Sequence, residues 1–223
     1  QKGLDLAFTI KSLSPNYREF DESRHFFDLR KVALEKNLQP EDLLAPFEIP
    51  FKDKTLKIGV LLCEDSWSED YALNPQEVLV AKGSQLLVNL SCSPFTAAKA
   101  QKRERVFSSA ARQLSCPLLY VNNVGIQNNG KTLFTFDGSS SCYSNTGTCV
   151  YLAPLFESHC FDLSWEPFAT LETYNKKPTP ARKDEAIAET AAALRFGISE
   201  FLATINIQRV VIGVSGGIDS AVV

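Results

Sequence analysis

Leu56-Lys57-Ile58-Gly59-Val60-Leu61-Leu62-Cys63-Glu64-Asp65-Ser66-Trp67 is the stretch on which the fold turns. Residues 56–62 make a short, almost wholly apolar run that stops at a polar turn, the pattern of a strand buried on both faces of a sheet. Open α/β sheets gather chemistry at the C-terminal ends of their strands, and Cys63 falls there. A thiol in this place can be a nucleophile if a base forms the thiolate and a donor or cation meets the developing oxyanion. The alternative is a small residue packed in a core. The two acids that follow, Glu64 and Asp65, weigh against it.

Outward from this strand, apolar runs and amphipathic stretches alternate. Strands are expected at residues 4–10, 85–89, 118–122, 132–137, 139–144 and 150–153. Helices are expected at 75–82, opened by Pro75, and at 97–114, with Val106, Ala110 and Leu114 on the apolar face and the charges opposite. Residues 21–28 and 34–51 read as loops. Such alternation implies a layered α/β domain. The segment Asn175-Lys176-Lys177-Pro178-Thr179-Pro180 has a linker's composition. Beyond it Asp184 caps a helix to about 205, with Ile187, Ala191, Leu194, Ile198 and Phe201 on one face. The expected organisation is a first domain over 1–168, a linker over 169–183 and the start of a second domain over 184–223.

Composition narrows the class. The chain is 44% hydrophobic and 22% charged with a net charge of −3, which suits a soluble α/β protein and argues against a general nucleic-acid binder. No apolar run reaches the ~20 residues of a membrane helix, and the absence of an n-region and h-region at its start leads us to expect no signal peptide. Six cysteines without CxxC spacing favour reduced thiols in the cytoplasm over disulfides or a metal site. With no methionine, a start at Gln1 and an end at Val223, the sequence reads as a piece truncated at both ends.

A second motif closes the chain. Residues 210–214 read as a buried strand, followed by Ser215-Gly216-Gly217-Ile218-Asp219-Ser220 and the start of a helix. Paired glycines let backbone N–H groups approach an anion, and a helix N-terminus favours negative charge. The Gly-Lys-Ser/Thr ending of a Walker loop is missing. The bland reading is a turn that needs glycine for packing. The hexapeptide resembles instead the pyrophosphate loop of the N-type ATP pyrophosphatases.

The first domain carries its own resemblance. Lys11-Ser12-Leu13-Ser14-Pro15-Asn16-Tyr17 with Phe20-Asp21-Glu22, Cys63-Glu64-Asp65, the Asn89–Phe95 segment, Asn122-Asn123-Val124-Gly125 and Phe136-Asp137-Gly138-Ser139-Ser140 look like the successive motifs of nitrilase-like amidohydrolases. Joined to the terminal loop, they resemble the glutamine-dependent NAD⁺ synthetase family. The fold this implies is an incomplete nitrilase-like α-β-β-α sandwich followed by the start of a Rossmann-like ATP pyrophosphatase domain.

The resemblance also implies roles. Glutamine would be hydrolysed by a Glu-Lys-Cys site, with Cys63 as nucleophile and Lys11 stabilising the oxyanion. The glutamate base is expected upstream, since Asp5 is the only acid before Lys11, and the piece alone is expected to be inactive. Tyr17, Ser93 and Lys99 match glutamine-contacting positions, and Glu64 would support Lys11 or the substrate amine. Cys92 reads as a packing residue, and His25 and His159 (the latter in a strand near 156–161) as surface or structural residues. The second domain would bind ATP through Ser215, Gly216, Gly217, Ile218, Asp219 and Ser220, with Mg²⁺, and amidate deamido-NAD⁺. A cytoplasmic homo-oligomer without nucleic-acid or membrane partners is implied. The rival readings are a free-standing amidase or carbamoylase, another ATP pyrophosphatase, and a non-catalytic assembly module.

Overall fold

The computed structural model describes residues 8–17, 20–163 and 183–223, without the side chains of residues 183–185. Its strands are β1 (Phe47–Phe51), β2 (Lys54–Leu62), β3 (Leu86–Ser91), β4 (Leu118–Asn122), β5 (Val124–Asn128), β6 (Leu133–Asp137), β7 (Ser141–Tyr143) and β8 (Cys149–Leu152). Six of them form one sheet in the order β1-β2-β3-β4-β7-β8, and β5 pairs with β6 in a separate ribbon. Strands β2, β3 and β4 run parallel, with β1 antiparallel to β2 at one side, and at the other β7 antiparallel to β4 and β8 antiparallel to β7. The helices are α1 (Glu22–His25), α2 (Leu29–Lys36), α3 (Pro75–Ala81), α4 (Lys99–Gln113), α5 (Lys183–Thr204) and α6 (Ile218–Val222).

Parallel strands need crossovers, and α3 and α4 supply those from β2 to β3 and from β3 to β4. Helix α3 starts as its sequence requires: Pro75 occupies the first turn and the Asn74 side chain accepts from Gln76 N at 3.2 Å. It lies so close to β2 that a Cβ on Gly59 would sit 3.1 Å from Leu79 Cβ, with Ser84 Oγ of the following turn at 2.7 Å and Leu87 Cδ2 of β3 at 2.8 Å. The main core joins these helices to one sheet face through Leu61, Leu79, Leu87, Phe107, Leu118 and Tyr120. A smaller cluster of Leu86, Cys142 and Val150 covers the other face, so β2 is fully buried only at Gly59 and Leu61 and half-buried elsewhere along its apolar run.

Several expectations need correction. Residues 21–28 hold the short helix α1 rather than a loop. Residues 34–51 are not irregular: α2 is capped by Asp28, whose carboxylate accepts from Lys31 N at 3.0 Å, and a 3-10 turn and β1 follow. A two-turn helix shows too little periodicity to be read, and β1 exists because the tight turn at Lys52 and Asp53 folds it back onto β2. Strand β5, interrupted by Gly125, was not anticipated. The buried face of α4 is Arg103, Val106, Phe107 and Ala111, so a charged residue sits where only apolar ones were expected.

Helix α5 packs against the β5–β6 ribbon through Ala193 and Gly197, whose Cβ would lie 2.7 Å from Thr135 Oγ1. The expected apolar stripe does not face inward, since Ile187, Leu194 and Ile198 are exposed. Residues 210–214 form no strand, and Val211 is 99% exposed. A strand needs neighbours for its N–H and C=O groups, and none of the described strands pairs with this segment. Residues 156–161 are likewise irregular. Most of the strand expected at 4–10 and nearly all of the expected linker lie outside the described residues.

Candidate active site

The chain leaves β2 at Leu62 and turns sharply at Cys63, which has a φ of 50°. The left-handed region costs a non-glycine residue about 1–2 kcal/mol, and such backbone strain persists only where neighbours enforce it. The neighbour here is Asn89 on β3, fully buried, whose Nδ2 donates to Cys63 O at 3.0 Å and to Ser66 Oγ at 2.6 Å. The turn thus presents a half-buried Cys63 to a cavity of about 590 Å³. Tyr17, Glu64, Tyr71, Ser93 and Lys99 line the same cavity. Four residues matched from sequence to substrate contacts therefore meet around the expected nucleophile.

Asp65 stands in the Cys63-Glu64-Asp65 motif with no role assigned by sequence, and it ties two motifs together. Its Oδ1 accepts from Ser12 N at 2.9 Å and Leu13 N at 2.8 Å, and its Oδ2 accepts from Leu62 N at 2.9 Å. The carboxyl is 2% exposed, and burial raises its pKa to about 6 against the opposing pull of these N–H groups and of Lys11. The Lys11 segment is thereby stapled to the Cys63 turn, although Lys11 does not itself line the cavity. The Lys11 ammonium forms an ion pair with Glu22. Glu22 stands in the quoted Phe20-Asp21-Glu22 motif, but only folding α1 against Lys11 reveals its partner.

Glu64 is 6% exposed and faces two phenols. Tyr17 Oη donates to its carboxylate at 3.1 Å and Tyr71 Oη at 3.0 Å. Burial, followed by the Glu64 charge, holds the Tyr17 phenol protonated well above its usual range and pushes Tyr71 up to about 12. Both remain donors near neutral pH, and Glu64 keeps an acceptor edge at the cavity. Ser93 is buried and gripped through its backbone by Asn122. Lys99, at the start of α4, donates from Nζ to Pro94 O at 3.0 Å. Asn89 and Asn122 stand in the quoted motifs, but with no role assigned to them, since each acts through a backbone group distant in sequence; Tyr71 stands in none of the motifs.

Cys92 is exposed rather than packed, because it lies past the end of β3 where the chain leaves the sheet. Neither His25 nor His159 lines the cavity; His159 stacks on Tyr151 with ring centroids 6.1 Å apart. All six cysteines are free thiols.

The Ser215–Ser220 loop is not part of this cavity. Gly216 has a φ of 87° with open space around it, and Gly217 caps α6. Ser220 Oγ accepts from Ser215 N at 3.1 Å and donates to Gly217 O at 3.1 Å, so the two serines close the loop on itself. Ser215, Gly216, Gly217 and Ile218 are exposed, and Asp219, also exposed, supplies the loop's one carboxylate. No cluster of three metal-ligating side chains occurs among the described residues. A Mg²⁺ held mainly by phosphate oxygens and water needs only one or two carboxylates, so Asp219 fits that group. No helix among the described residues is long and apolar enough to cross a membrane.

No family model matches the chain. It is 32% identical over 220 residues to the glutamine-dependent NAD⁺ synthetase of Synechocystis, covering 96% of this chain and 36% of that protein. It is 30% identical over 219 residues to the enzyme of the same name from Acinetobacter baylyi, covering 98% and 36%. The structure superposes on the glutamine-dependent NAD⁺ synthetase of Acinetobacter baumannii, solved with ADP, with a TM-score of 0.71 at 27% identity, covering 95% of this chain and 35% of that one. A carbon-nitrogen hydrolase from Helicobacter pylori shares the fold at a TM-score of 0.51 and 23% identity, covering 66% and 48%. The chain therefore spans about 36% of the length of the curated relatives it matches. With an α/β fold that superposes on one such enzyme and a match along nearly its whole length, the chain is a relative of the glutamine-dependent NAD⁺ synthetases.

Proposed function

We propose that this chain carries the glutamine-hydrolysing site of a glutamine-dependent NAD⁺ synthetase, together with the first phosphate-binding turn of its synthetase part. The observation that carries the reading is the cavity shared by Cys63, Glu64, Tyr17, Ser93 and Lys99, beside a Lys11 segment tied to the Cys63 turn by Asp65. The Cys63 thiolate attacks the side-chain amide carbon of glutamine. A C–S bond forms, and the Lys11 ammonium offsets the charge that appears on the carbonyl oxygen. Collapse breaks the C–N bond, and ammonia leaves after taking a proton from the acid–base glutamate. Water then cleaves the γ-glutamyl thioester, releasing glutamate and restoring the thiol.

The acid–base glutamate has no counterpart before Lys11, where Asp5 is the only acid, and is taken to come from outside these residues. Because Lys11 is engaged by Glu22, Glu64 is free to receive the α-ammonium of glutamine, held in place by the Tyr17 and Tyr71 hydroxyls. Lys99 and Ser93, which line the same cavity, receive the α-carboxylate. A free amino acid offers both charges, which a simple aliphatic amide lacks; this favours glutamine over a general amidase substrate.

The ammonia serves an ATP-dependent amidation of deamido-NAD⁺. ATP adenylates the nicotinate carboxylate with loss of pyrophosphate, and ammonia displaces AMP. Ser215, Gly216, Gly217, Ile218, Asp219 and Ser220 would cradle the phosphates, with Mg²⁺ near Asp219 neutralising their charge. The ADP complex of the Acinetobacter baumannii relative supports a nucleotide in this family. By the same resemblance the whole protein is a cytoplasmic homo-oligomer. The test compares NAD⁺ formation from glutamine and from ammonia in the whole protein with deamido-NAD⁺, ATP and Mg²⁺. Cys63→Ala is expected to remove the glutamine reaction and keep the ammonia reaction. Failure of the wild type to form NAD⁺ from either source would refute the reading.

A further inference from the structure

On the buried side of α4, Arg103 meets Asp137 at the end of β6. Arg103 Nη1 donates to Asp137 Oδ2 and Nη2 to Oδ1, each at 3.2 Å, and the two side chains are 3% and 2% exposed. Asp137 Oδ1 also accepts from Asn122 Nδ2 at 3.1 Å. Asn122, at the end of β4, in turn grips the backbone of one residue, on both sides of its Cα, with both halves of its amide. Its Oδ1 accepts from Ser93 N at 2.9 Å, and its Nδ2 donates to Ser93 O at 3.3 Å. The guanidinium is also held over the Tyr120 ring, 5.0 Å from its centroid.

Such a chain is a poor source of stability. A buried ion pair often stabilises a fold no more than apolar side chains of the same volume would. What a bidentate pair supplies is orientation, because the planar fork fixes both partners. Here the orientation is handed on. Asp137 fixes the rotamer of Asn122, and Asn122 fixes the Ser93 backbone at the cavity wall. The segment from Cys92 to Ala98 has no helix or strand to define it, and Phe95 N, which donates to Thr135 O at 2.7 Å, is its other long-range backbone anchor among the described residues.

We propose that Arg103, Asp137 and Asn122 are positioning residues for the substrate: they hold Ser93, and with it the Ser93–Lys99 wall, at the distance from Cys63 that an amino-acid substrate requires. This rests on the glutamine reading above. Displacing a substrate-positioning wall by about 1 Å can lower rate by about 100-fold without touching the reacting groups.

The experiment uses the whole protein with glutamine or ammonium as nitrogen source, and iodoacetamide as a small probe of Cys63. Asn122→Ala is expected to raise KM for glutamine about tenfold or more, on the order of one lost charge-linked contact, with a smaller change in kcat. KM for ammonium and the rate of Cys63 alkylation are expected to stay at wild-type values. Asn122→Asp sets two carboxylates against each other and should be worse. The exchange Asn122→Asp with Asp137→Asn restores one carboxylate and one amide, and should recover most of the glutamine KM. An unchanged glutamine KM in Asn122→Ala, or equal loss with both nitrogen sources, overturns the proposal. If Asn122→Ala does not fold, Arg103→Lys, which keeps the charge and loses the fork, is judged by the same criterion. A wild type that ignores glutamine overturns the functional reading and this proposal together; a wild type that uses it, with unmoved variants, overturns this proposal alone.

Discussion

Replacing Asp65 by Asn tests both the stability and the chemistry assigned to the Cys63 turn. The substitution preserves volume at a site that is 2% exposed. The amide oxygen can still accept from Ser12 N and Leu13 N, but the amide NH₂ must then face Leu62 N, which loses its acceptor. One lost hydrogen bond to a charged group and one stranded buried N–H together cost about 2–4 kcal/mol. Against this, the wild type carries a destabilising charge. Burial raises the Asp65 pKa from an ordinary 3.8 to about 6, which corresponds to roughly 3 kcal/mol. The folded state therefore binds the proton before the unfolded chain does. The stability from this proton is fully present below pH ~4 and is lost as pH rises through ~6. Urea unfolding of wild type and Asp65→Asn from pH 7.5 to 4.5 isolates the effect, because the other carboxyls titrate in both proteins. The wild type should gain on the variant by about 2 kcal/mol over that range, and the variant should hydrolyse glutamine at least tenfold more slowly because the Lys11 segment is loosened. A pH-independent difference, or wild-type glutamine hydrolysis in the variant, would refute the reasoning.

Asn89→Ala should release the strained Cys63 carbonyl and lower glutamine-dependent kcat by about tenfold or more, while ammonia-dependent synthesis is kept; steady-state kinetics with the two nitrogen sources checks this. Gly59→Val should destabilise the fold by about 1–3 kcal/mol, because a branched side chain cannot enter the space between β2, Ser84 and Leu87; a drop in the urea midpoint at unchanged slope is the expected sign. Gly216→Val forces a β-branched residue to a φ of 87° and should abolish synthesis from glutamine and ammonia alike, with glutamine hydrolysis retained; retained synthesis would show that the loop does not hold the phosphates.

The parallel core and its chemistry were legible because they are local. The apolar run ending at Cys63, the Pro75 start of α3 and the long amphipathic α4 each carry a period or cap that a short window reveals. The motif residues Cys63, Glu64, Tyr17, Ser93 and Lys99 could be named in order along the chain, although nothing in their spacing shows that they line one cavity. What no window could contain is partnership. Arg103 reads as one more surface charge until Asp137, far along the chain, is seen to neutralise it in the core. Asp65, Asn89 and Asn122 act through backbone groups far along the chain, and Glu22 through an ammonium eleven residues away. Residues 210–214 show the converse: their β-pattern is strong, yet no described strand pairs with them and they form none. Local pattern decides which segments can become strands or helices and where a nucleophile can sit. Only the tertiary structure decides which hydrogen bonds and charges are satisfied, because burial makes an unpartnered polar group costly and so selects the one arrangement in which partners meet.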